Sequence, residues 1–124
     1  MSQFDDIQRE ISARIDKINR SATIAVSNVI TNRTHVSSSM LKGSWQFAIG
    51  SKPTEQIDGI GRDSMGVLRS EISGFDIGQT AWFLNLQPYS LKMEYYSKAG
   101  PVGMVRPAVA NWQKYVDNAA RAIR

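Results

Sequence analysis

Trp82-Phe83-Leu84-Asn85-Leu86-Gln87-Pro88-Tyr89-Ser90-Leu91-Lys92-Met93-Glu94-Tyr95 decides how the whole chain is read, because two structural periods meet inside it. Residues 80 to 86 are aromatic and aliphatic enough for a β-strand. Pro88 has no N–H to give a sheet ladder, but it suits the first turn of a helix. The strand is therefore expected to stop near Asn85 or Leu86. Beyond it, Tyr89, Met93 and Tyr96 fall at helical spacing, and Leu91 with Tyr95 forms a second i, i+4 pair. Strand, proline turn and a helix of about two turns make one corner, held by Asn85, Pro88, Tyr89, Glu94 and Tyr95.

A strand needs a partner, and the upstream sequence supplies one. In Ser44 to Ile49, Trp45, Phe47 and Ile49 alternate onto one face and the run stops at Gly50, the pattern of a half-buried strand. The two strands predict a small antiparallel sheet. Ahead of them, Ser38 or Ser39 is placed to cap a helical turn through Met40, Leu41 and Lys42, which Gly43 ends. Between the strands, residues 51 to 61 read as a surface loop. Met65, Leu68 and Ile72 then give a short helix over residues 63 to 73, closed by Gly74, with a turn at residues 75 to 78.

The two ends of the chain read as helices. From Ser2 to about Asn32 there is no Pro or Gly, and Phe4, Ile7, Ile11, Ile15, Ile18, Ala22, Ala25 and Val29 recur at steps of three and four. Ser2 is the expected N-cap, with Asp5 at the third helical position. About 30 residues at 1.5 Å each make a rod of roughly 45 Å, longer than a domain of this size covers. Part of residues 1–33 is therefore expected to project, with Phe4, Ile7 and Ile11 as a subunit contact. At the other end, beyond a connector at residues 97 to 103, a closing helix is predicted from about Met104 to Ile123. Its apolar face is Val105, Ala108, Val109, Trp112, Val116, Ala119 and Ile123, and Pro107 is tolerated in its first turn. Trp45, Trp82 and Trp112 occur one per main element, as core anchors do.

With 124 residues, 42% of them hydrophobic and 21% charged, the chain reads as a single globular α+β domain over 1–124. Its α+β core and C-terminal helix occupy 34–124, with the helices packed on one face of the sheet. There is no cysteine, which removes disulfides, thiolate metal sites and a cysteine nucleophile. No apolar run suits a leader or membrane span, so an intracellular protein is expected. The net charge of +4 collects at one end: residues 1–33 carry +1, residues 34–85 carry −1 and residues 86–124 carry +4. Arg106, Lys114, Arg121 and Arg124 are thus candidates for charge along a DNA path, and the alternative function is a small basic DNA-binding module. The plainer account is a solvated helix face with the usual cations toward its C-terminus.

No reaction is proposed by the remaining side chains. Gly59-x-Gly61 has Ser64 where a phosphate-binding motif needs its third glycine, and no Lys-Ser/Thr pair follows. Asp58 and Asp63 have no third ligand in reach and read as turn and cap residues. His35, the single histidine, sits in a polar loop and reads as solvated. No catalytic, cofactor-binding or metal-binding residue is assigned, and no small-molecule substrate or membrane partner is expected.

Two segments resemble the tail-completion or neck proteins, minor tail components of lambda-like long-tailed bacteriophages. The first is Ser38-Ser39-Met40-Leu41-Lys42-Gly43-Ser44-Trp45, similar to the family's threonine-glycine-x-leucine-x-x-serine-tryptophan lead into its first strand. The second runs from Trp82 through Asn85, Pro88-Tyr89, Glu94-Tyr95 and Gly103-Met104-Val105-Arg106 into the last helix. Ser39 and Tyr96 stand where the family has glycine, which makes both turns stiffer here. The resemblance implies a small virion subunit of the neck or tail top, a homo-oligomeric ring around the DNA channel that completes the tail or joins it to the filled head. Its implied partners are copies of itself, other neck and tail proteins and, without base reading, the genomic DNA.

Overall fold

A computed structural model describes residues 2–34, 39–60, 62–76, 78–87, 90, 94 and 104–123. The protein is α+β. Helix α1 runs over Gln3–Arg33. The Ser2 hydroxyl accepts the Asp5 N–H at 3.2 Å, the expected N-cap, and Asp5 and Asp6 supply the acidic first turn that favours a helix N-terminus. At the far end Thr34 stops the helix in extended backbone. Its hydroxyl donates to the Ile30 carbonyl at 2.8 Å and accepts the Trp45 indole N–H at 3.0 Å, a buried pin between α1 and the sheet.

Helix α2 (Ser39–Gly43) leads into β1 (Trp45–Ile49), which pairs antiparallel with β2 (Ala81–Asn85). Trp45 faces Asn85, Phe47 faces Phe83 and Ile49 faces Ala81. Odd-numbered residues therefore share one face, and the Trp45 and Phe83 rings stack there at 4.9 Å. β2 ends at Asn85, where the strand was expected to stop. Helix α3 (Ser64–Ile72) begins on Asp63, whose carboxylate accepts the Gly66 N–H at 3.2 Å; Leu68 and Ile72 are wholly buried. The core joins Ile30, Leu41, Trp45, Phe47, Leu68 and Ile72 with Met104 and Ala108 from the C-terminal region. Arg20 of α1 reaches the turn after α3, donating through Nε to the Phe75 carbonyl at 2.7 Å and pairing with the Asp76 carboxylate.

The closing helix expected over residues 104 to 123 is instead two, α4 (Val105–Val109) and α5 (Trp112–Ala122). The Asn111 N–H bonds one residue short, to the Ala108 carbonyl at 3.1 Å. The Pro107 carbonyl, which that N–H would take in an unbroken helix, receives the Asn111 side-chain amide at 3.0 Å. Val109, the last residue of α4, is 55% exposed and so leaves the apolar face assigned to it. The three tryptophans also part company. Trp45 is 2% exposed, whereas Trp82 and Trp112 are 38% and 37% exposed and are not core anchors. Trp82 lies on the even-numbered face of β2, away from the core, where the Lys52 ammonium sits 5.8 Å from its ring centroid.

Candidate functional site

The first candidate surface is α1 itself. Every described residue from Ser2 to Ile15 is exposed, whereas Ala22, Ser27, Ile30 and Thr31 are buried against the remaining helices. Phe4, Ile7 and Ile11, the sequence-predicted contact, are 66%, 52% and 53% exposed, and Ile15 continues the row at 42%. At 100° per residue these four span one narrow stripe with no described element against it. Ile15 was part of the periodic pattern but not of the predicted contact; only burial distinguishes it from Ile18.

The second site is the corner, where the structure brings the two family-like segments together. The carbonyls at the end of α2 are each taken by a distant side chain. Asn85 donates through Nδ2 to the Leu41 carbonyl, Ser64 through Oγ to that of Lys42, and Arg62 through Nη1 to that of Gly43, all at 2.8 Å. Helix ends leave such acceptors open, so these bonds fix both the exit of α2 and the start of β1. Gln87, buried, adds a bond from Nε2 to the Ser44 hydroxyl at 3.0 Å and another to the Ile57 carbonyl at 3.1 Å. Gly43 is required by packing: a Cβ there would lie 1.8 Å from the Gly59 carbonyl oxygen. Sequence reasoning found Asn85 and Gly43 but missed Gln87 and Arg62, whose targets are backbone atoms that leave no pattern in the chain.

Glu94 closes the same corner. Its carboxylate accepts the N–H groups of Met104 and Val105 at 2.9 and 2.7 Å, together with the Arg106 Nε at 3.0 Å, and Arg106 Nη2 donates to the Glu94 carbonyl at 2.8 Å. Burial pushes this carboxyl up, but the N–H donors of Val105, Met104 and Arg106 outweigh it and hold the pKa below the ordinary glutamate value of 4.5. Ser90 and Glu94 are both helical, in line with the short helix expected after Pro88. Pro88, Tyr89 and Tyr95, with Leu91, Met93, Tyr96 and the 97–103 connector, lie outside the described residues, as do His35, Ser38, Gly61 and Arg124.

The basic set divides accordingly. Arg106 is engaged by Glu94, while Lys114 and Arg121 are exposed on α5. Asp58 accepts the Ile60 N–H at 3.1 Å and Asp63 caps α3, the turn and cap roles read from the sequence. Among the described residues no three His, Cys, Asp or Glu side chains gather into a metal-ligating group, and no helix is long and apolar enough to cross a membrane. Comparison of the chain with protein-family models, with curated proteins and with solved structures gave no match.

Proposed function

We propose that this chain is a structural virion subunit of the phage neck or tail top, assembled as a ring that completes the tail or joins it to the DNA-filled head. The observation that carries the reading is the uncovered apolar stripe of α1. An apolar row of this length, held out on a rigid helix, is a surface whose burial awaits another chain. The resemblance adds the context. Its two segments meet in one hydrogen-bonded corner, where Asn85 bonds the carbonyl of Leu41, 44 positions away in the chain. In this reading the protein has no turnover, and Lys114 and Arg121 supply screening charge to DNA passing through the ring without reading bases.

The test is a phage deleted for the gene, viewed by electron microscopy. Filled heads and separate tails that fail to become joined, infectious particles are expected. Normal joined particles from the deletion strain would overturn the proposal. Purified protein supplies a second arm: its self-association should persist in salt, as apolar burial does, whereas a DNA-binding module should lose DNA steeply as salt rises.

A further inference from the structure

A closed ring of more than two subunits joins two different surfaces of each copy, so the α1 stripe accounts for one of them. The sheet offers the other. An antiparallel sheet with one face on the core and one in water alternates apolar and polar side chains. Here the outward, even-numbered positions are Gln46, Ala48, Trp82 and Leu84, and three of the four are apolar. Ala48 lies directly across from Trp82, and Leu84 stands two residues along the same strand, so the three are neighbours on one face. The margin of that face is engaged: Gln46 donates through Nε2 to the Glu55 carbonyl at 3.0 Å, and the Lys52 ammonium lies over the Trp82 ring. Trp82 still keeps 38% of its surface exposed. An outer face of this composition marks an interaction surface.

Size and area say what fits it. Phe4, Ile7, Ile11 and Ile15 recur at steps of three, four and four, a spacing that keeps the row straight along an α-helix. At 1.5 Å per residue the row is about 16 Å long, and two strands of five residues each run about 17 Å. Four side chains of about 200 Å² each, roughly half exposed, offer about 400 Å² of apolar surface, near half of what each partner buries in a stable complex. A second tip is no wider than the row and would add little to that area. A sheet face is broader, and a helix laid on it also covers the side chains beside the row, which at about 100° per residue are Gln3, Gln8, Ser12 and Arg14. Arg14 is the one charge among these, so apolar burial holds the contact. Because Lys52 beside Trp82 is also a cation, the rod lies with Phe4 toward Lys52 and Arg14 away from it. The other exposed large hydrophobics outside α1 are less extensive: Ile60 and Val67 stand singly, and Val109 and Trp112 are separated by exposed Ala110 and Asn111. We infer that the α1 tip of one copy lies across the outer face of the sheet of the next copy, over Ala48, Trp82 and Leu84. This rests on the ring-subunit reading and names the surface that completes it.

The experiment mixes two variants, each with one surface disabled. Ile7→Asp/Ile11→Asp removes the tip, and Ala48→Lys/Trp82→Thr removes the sheet face while Thr keeps the strand's preference for extended backbone. Sedimentation velocity should show each variant alone weakened in association at least about tenfold. An equimolar mixture should form a dimer and nothing larger, because one intact tip meets one intact face. Cross-linking supplies the second arm, since the chain has no cysteine of its own. Ile7→Cys mixed with Ala48→Cys should give a mixed disulfide dimer under mild oxidation, in preference to Ile7→Cys with Val109→Cys or with itself. This arm needs no disruptive substitution and carries the test if the face variant does not fold. A folded face variant that associates like wild type, a mixture that stays monomeric, or a cross-link that favours Val109→Cys or a second tip overturns this docking while the ring reading stands. Wild type that stays monomeric at every concentration tested overturns the ring reading, and this inference with it.

Discussion

Helix α1 is one element with two fates. From Phe4 to Ile18 its apolar residues step by three, four, four and three, and from Ala22 to Val29 by three and four, so the two halves carry one continuous stripe. Toward the C-terminus α1 buries Ala22, Ser27, Ile30 and Thr31, of which only Ala22 lies on that stripe, and half-buries Ala25 and Val29; toward the N-terminus Phe4, Ile7, Ile11 and Ile15 stay exposed and Ile18 is half-buried. Composition also differs: the buried residues include small ones that let neighbouring helices approach, while the exposed stripe is Phe and Ile. Helical periodicity thus reports that a face is apolar and leaves open what covers it. Inside the domain the cover is the chain itself. At the tip it is the surface of another molecule under the function proposed above.

The comparison breaks most sharply in the core that the inner half of α1 helps to build. Leu68→Ala removes a wholly buried side chain beside Ile30 and Ile72 in the same cluster, and should cost about 2–5 kcal/mol in urea denaturation. That is a large part of the stability of a domain this size. A loss below about 1 kcal/mol would mean that this cluster collapses around the gap or is not the core.

Glu94 gives a pH-dependent version of the same contrast. Glu94→Gln keeps the shape but weakens charge-assisted bonds to Met104, Val105 and Arg106, with an expected cost of roughly 1–3 kcal/mol at neutral pH. Because the folded-state pKa lies below 4.5, wild type holds its full margin above 4.5 and loses it as pH falls from there through the folded-state value. Glu71 has the opposite sign. Burial raises its pKa against the pull of Arg62, so its ionisation opposes folding above 4.5, and Glu71→Gln should be neutral or slightly stabilising at neutral pH. Equilibrium unfolding of both variants across this range checks the pair. A Glu94→Gln margin that does not shrink in acid would break the assignment.

Asn85→Ala should cost about 1 kcal/mol, since it leaves the Leu41 carbonyl without one of its donors while the Ser44 N–H still bonds to it. Paired with Gln87→Ala in a double-mutant cycle, it would report whether the two family-like segments are energetically coupled. Thermal midpoints that simply add would show two independent pins in place of one corner.

Much of this fold was legible because local chemistry and burial agree. Trp45 and Phe47 alternate onto the core face, Asp63 sits one residue before an apolar helix face, and β2 ends shortly before a proline. The bend at Asn111 was not legible, since Ala108, Val109, Trp112 and Val116 keep helical spacing across it. It is set by an Asn111 amide that takes the Pro107 carbonyl. Glu94 was placed in the corner by the sequence, but its role as the anchor of Met104 and Val105 was not, because those N–H groups lie 10 and 11 residues downstream. The exposed tryptophans follow the same rule. A large aromatic residue signals contact area without saying whether the contact lies within the chain.

The smallest effect on stability is the one expected at the α1 tip, and it is the most informative. Phe4→Ser, Ile7→Ser and Ile11→Ser alter side chains that are more than half exposed and touch no described element, so the unfolding midpoint of the monomer should move by less than about 0.5 kcal/mol per site. Helix propensity offers no larger change, because Ser and Ile differ little in a helix interior. Self-association, in contrast, should fall sharply, because the triple variant removes most of the apolar area available to a second copy. The two measurements together separate the halves of α1: the same substitution type at Ile30, 2% exposed, should unfold the domain. A triple variant that melts early would place Phe4, Ile7 and Ile11 in the monomer's own core. One that keeps both its fold and its association would leave the stripe without a role in assembly.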